Sequence, residues 1–191
     1  MNMRLNDLLI PKKTAIIKKW FALAIDTYPA DTAKFLKSQK DPFANPVGRT
    51  IYRGLEALFD ELLKGMDIEN ITSHLDPIIR IRAVQNFSPS RAIRFIFFLK
   101  TAINESLSKE IFQEQLIKDW QLFESKIDEL SLIAFNLYTQ CKEKLFELKA
   151  NEIKNRTFKA FERAGLVSEI PAEAPNLEPI NHITKEASDD V

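Results

Sequence analysis

His74, His182 and Cys141 are the side chains best suited to acid–base, nucleophilic or metal chemistry in a sequence with two histidines and one cysteine among 191 residues. His74 stands in SHLDP with no second His or Cys nearby, so a tetrahedral metal site is not expected there. A surface or capping histidine is the expectation. His182 falls in a proline- and acid-rich tail that cannot hold a catalytic geometry. Cys141 is one helical turn from Leu137 and from Leu145, which predicts a small buried hydrophobe rather than a reactive thiol. No serine has the histidine and strained glycine turn that serine catalysis wants. The four glycines are at least six residues apart, too dispersed for a phosphate-cradling loop. Adjacent carboxylates such as Asp60–Glu61 and Asp128–Glu129 point in different directions on a helix and predict solvated surface. The expectation is a protein with no catalytic residues, no metal and no cofactor, and therefore not an enzyme.

One cluster is less bland. Between Asp76 and Lys100 stand Arg80, Arg82, Arg91 and Arg94, with Asp76 the only acid. Arg91 and Arg94 are three apart, share a helix face, and follow Ser88-Pro89, where free amides at a helix start favour an anion. These four arginines are the candidate site for a small anion or an acidic partner. The competing reading pairs them with carboxylates of neighbouring helices. Nucleic acid is not expected as a partner, because a formal net charge of zero removes the non-specific attraction.

Prolines and apolar spacing say which elements must position these groups. Pro11, Pro29, Pro46, Pro77 and Pro89 each fit the first turn of a helix, where the missing N–H is an orphan anyway. Asn45, Asp76 and Ser88 precede three of them as potential caps, and Gly65 can close a helix after Lys64. Ile16, Trp20, Leu23 and Ala24 recur on one helical face, as do Val47, Ile51, Leu55, Leu58 and Leu62. Phe95 to Leu99 makes its segment apolar nearly all round, which predicts a central helix. From about Lys109 to Gly165 neither Pro nor Gly interrupts, which predicts one long helix. Within it Ile127, Leu130, Ala134, Leu137 and Cys141 step by three and four, the period of a helix that pairs with another, and they form the candidate dimer face. Lys144 ends that run. The fold class is all-α.

The longest apolar runs fall far short of a membrane span, a secretory signal is not present, and one cysteine allows no intrachain disulfide. A cytoplasmic protein without membrane insertion is expected. The domain reading is 1–150 for the main helical domain, 151–165 for a helical extension, and 166–191 for a disordered acidic tail in which Lys185 is the only lysine.

WFALAIDTYP (Trp20–Pro29), DPFANPVGRTIYRGLEALFDELLKG (Asp41–Gly65) and LDPIIRIRAVQNFSPSRAIRFIFFLK (Leu75–Lys100) resemble the N-terminal domain of the RsbR-type stressosome co-antagonists, RsbRD subgroup, over about residues 4–150. The resemblance implies a globin-like helical bundle that binds no haem, pairs as a dimer, and leads through a long C-terminal helix toward an output domain. No histidine lies between residues 75 and 181 to serve as a proximal ligand, which agrees with that implication. Full-length members continue into an anti-anti-sigma domain, and residues 151–191 do not supply one, so an isolated sensory or adaptor module is expected. It would act as a homodimer and through contacts with other signalling proteins. The alternative is a small-ligand module, with an apolar molecule or cofactor held in the Phe-rich core around Phe95–Leu99.

Overall fold

Helix boundaries follow local capping chemistry at several of the marked positions. The computed structural model describes residues 4–38, 41, 43–107 and 114–166, and the described residues form six helices and no strand. They are α1 (Leu5–Ile25), α2 (Ala30–Ser38), α3 (Pro46–Lys64), α4 (Ile68–Val84), α5 (Pro89–Ser106) and α6 (Glu114–Arg163). The all-α expectation holds. Asn45 Oδ1 accepts from the Gly48 amide at 2.8 Å, and its Nδ2 donates to the Leu36 carbonyl at 2.9 Å, so one side chain starts α3 and ties it to α2. Gly65 ends α3 with φ +143°, a conformation closed to side chains with a Cβ, and its N–H bonds the Glu61 carbonyl at 3.1 Å.

Two prolines, Pro77 and Pro11, lie inside helices instead of at their starts, and Pro29 stands one residue before α2 instead of in its first turn. Pro77 is inside α4, which begins nine residues earlier at Ile68 and is capped by Asp67, whose Oδ1 accepts from the Asn70 amide at 2.9 Å. Ile71 and Leu75, both fully buried, give the stretch before Pro77 a core to pack on, and that tertiary gain outweighs the lost helical bond. Asp76 therefore caps nothing; it accepts from Arg80 Nε at 2.6 Å one turn on. Pro11 is likewise inside α1. Pro46 and Pro89 do open their helices, although the Ser88 side chain makes no capping bond.

The chain divides into two units, residues 1–150 and 151–191. In the first, α1 packs against α5 and α3, α3 against α4, and α4 against α5, while α2 rests on α1 and α3. Gly54 permits the close approach of α3 and α4: a Cβ there would meet Ile78 Cδ1 at 2.7 Å. Trp20, Phe59, Phe95, Ile96 and Leu99 are fully buried, and Trp20 Nε1 donates to the Phe95 carbonyl at 2.6 Å. The Phe-rich stretch is central on one side only, since Phe97 is exposed.

The first half of α6 completes this core through Trp120, Phe123, Ile127, Leu130, Ala134 and Tyr138. Polar clasps fix its position. Lys126 Nζ donates to the Leu62 carbonyl at 3.0 Å, Lys100 pairs with Asp128 at 2.8 Å, and the Tyr138 hydroxyl donates to the Phe87 carbonyl. In the second unit every described residue from Asn151 to Leu166 is exposed, Ile153, Phe158 and Phe161 included. The expected acidic tail lies outside the described residues beyond Leu166, as does the expected helix start near Lys109.

Candidate functional site

The four arginines of the sequence cluster are separated by the fold into three environments. Arg80 is exposed and engaged with Asp76. Arg82 is fully buried and makes no carboxylate contact among the described residues. Its Nη2 donates to the Ala24 carbonyl at 3.1 Å and its Nη1 to the Arg91 carbonyl at 3.2 Å. Ala24 is in the last turn of α1, where the partial negative charge of the helix end stands in for a counter-ion. The rings of Tyr28, Phe87 and Phe95 surround the guanidinium at 5.3, 5.0 and 4.7 Å, a cage that favours a cation over any neutral group. Burial lowers its pKa to about 10, which leaves the group charged at neutral pH. Arg82 is thus a structural cation that joins α1, α4 and α5, and no solvent-borne anion reaches it.

Arg91 and Arg94 remain at the surface, on the first turns of α5. Arg91 Nη2 donates to the Thr27 carbonyl at 2.7 Å, and its guanidinium stacks over Phe87 at 5.2 Å. Arg94 has no polar partner among the described residues. Both open onto a cavity of about 390 Å³ whose other walls include Leu23, Tyr28, Pro29 and Phe98. Of the four candidates, this pair is the one the tertiary structure leaves able to take a ligand. Sequence spacing grouped Arg91 with Arg94, but it gave no signal for Tyr28, which the α1–α2 turn brings beside them.

The candidate dimer face divides as well. Ile127, Leu130 and Ala134 are fully buried in the chain's own core, so the three-and-four period reports packing within the chain at those positions. Leu137 and Cys141 are partly buried and line a second hollow of about 290 Å³, shared with Ala83, Val84, Leu145 and Leu148. Burial pushes the Cys141 thiol up, against a smaller opposing effect of Arg80. Iodoacetamide is accordingly expected to alkylate Cys141 severalfold more slowly in the folded protein at pH 7.5 than in urea, because only the thiolate reacts. Equal rates would contradict that environment.

A different face of α6 is the apolar surface that sequence periodicity passed over. Leu132 is 67% exposed and Phe146 60%, with Phe135 between them at 44%. Phe135 and Phe146 are eleven residues apart, close to three helical turns, and Leu132 is one turn before Phe135, so the three share a face. Lys142 sets its ammonium over the Phe146 ring at 5.3 Å.

His74 is half-buried within α4, and among the described residues no group of His, Cys, Asp or Glu could hold a metal ion. His182 lies outside the described residues. No helix among the described residues is long and apolar enough to cross a membrane. Residues 14–153 match a family model described as the RsbT co-antagonist protein rsbRD N-terminal domain. No curated protein and no solved structure matches the chain.

Proposed function

The chain belongs to the family of RsbT co-antagonist rsbRD N-terminal domains, and from that premise we propose that it is a non-enzymatic regulatory module of the stressosome type that works through protein contacts and as a homodimer. The family name speaks of co-antagonism toward RsbT, and contact with regulatory proteins of that kind is the activity proposed. A globin-like arrangement of the six helices belongs to the same proposal.

The observation that supports contact over catalysis is the exposed stripe Leu132, Phe135 and Phe146 on α6. Large apolar side chains aligned on one face of a long helix mark an association surface, whereas single scattered ones do not. Burying such a face against a second copy removes it from water at about 25 cal/mol per Å². The dimer seam proposed is therefore this stripe, in place of Ile127, Leu130 and Ala134.

Light scattering at low micromolar concentration tests it. A particle of twice the 22.0 kDa chain mass is expected, and Leu132→Glu with Phe135→Glu should yield a monomer of unchanged helical content. A monomeric parent, or a dimer indifferent to both charges, would sink the proposal.

A further inference from the structure

The cavity beside α5 has the chemistry of a receptor for one ligand class. Its cations, Arg91 and Arg94, are three residues apart on one helix face and can approach the same anion from two directions. Its remaining surface is largely apolar, with Leu23, Pro29 and Phe98 in the wall. Among the described residues Asp26 is the one acid at the rim, and Lys37 holds it at 2.6 Å.

A second observation is independent of the arginines. Tyr28 contributes to the wall and is buried, yet its hydroxyl has no hydrogen-bond partner among the described residues. Buried polar groups are nearly always satisfied, so each exception needs an explanation. The Tyr28 hydroxyl can donate, and an acceptor is what this wall of the cavity lacks. A hydrophobic side chain from a partner would leave the arginines bare, and inorganic phosphate would leave the apolar walls uncovered.

We propose that the cavity between the α1–α2 turn and the start of α5 binds a small amphipathic carboxylate, whose anionic head meets Arg91 and Arg94 with the Tyr28 hydroxyl as a third donor, and whose apolar body lies on Leu23, Pro29 and Phe98. The site would supply this regulatory domain with a chemical signal. It is distinct from the α6 stripe, so either proposal can fail without the other.

Calorimetric titration of the full chain with sodium benzoate and sodium octanoate tests the assignment, with benzamide and octan-1-ol as neutral counterparts. One saturable site for at least one acid is expected, with no saturation by its neutral counterpart. Arg94→Gln should weaken that acid about tenfold or more, the worth of a charge-assisted hydrogen bond. Tyr28→Phe should weaken it severalfold without lowering the melting temperature of the free protein, since the hydroxyl it removes bonds to no described residue there. Arg80→Gln, elsewhere on the surface, should change nothing. Absence of saturation by both acids, equal binding of a neutral counterpart, or full affinity in Arg94→Gln would each overturn the proposal.

Discussion

Arg82→Ala is expected to lose about 4 kcal/mol of folding stability, and Arg82→Met about half as much. Methionine fills much of the same volume, so the difference between the two variants isolates packing, and the loss that remains in Arg82→Met isolates the charge-assisted bonds to Ala24 and Arg91 and the attraction of the three rings. Sparing a guanidinium its desolvation offsets part of the loss, which is why the methionine variant is not expected to fall as far. The Ala24 carbonyl also accepts from the Thr27 hydroxyl at 2.7 Å, so it is not orphaned when Arg82 goes. At roughly 2–4 °C per kcal/mol, Arg82→Ala should melt about 10 °C lower. Urea denaturation measures both. An Arg82→Met chain as stable as the parent would mean that the cation contributes nothing net.

Leu130→Ala should destabilise the chain by about 2–5 kcal/mol, and Ile127→Ala by a similar amount, because each empties a site inside the core. The effect should not depend on protein concentration. That independence separates a core residue from an interface residue, whose truncation would weaken association and leave a dilute monomer as stable as before. A urea midpoint for Leu130→Ala that matches the parent at nanomolar concentration would return Leu130 to the surface.

Which parts of the molecule were readable in advance depends on the range of the forces involved. Asn45 capping α3 and Gly65 ending it are decided within four residues, and both were legible. Pro77 was misread because the same dipeptide serves as a helix start or a tolerated interior proline. The choice turns on whether Ile71 and Leu75, further upstream, find a core. Leu130 shows the same limit for periodicity: a three-and-four repeat requires a covering surface but does not say whether that surface is the same chain or another.

The amino-acid sequence by itself determined that this is an all-α chain, where most of its apolar faces lie, and that it belongs to one family across residues 14–153. Helical period, capping and composition are local properties, and they survive without knowledge of the rest of the fold. Only the tertiary structure decided that Arg82 is sealed among Tyr28, Phe87 and Phe95 while Arg94 stays at the surface, and that α6 offers Leu132, Phe135 and Phe146 outward. Those outcomes depend on which distant segments meet, and a residue's burial, unlike its helical propensity, is set by neighbours that its own sequence context does not name.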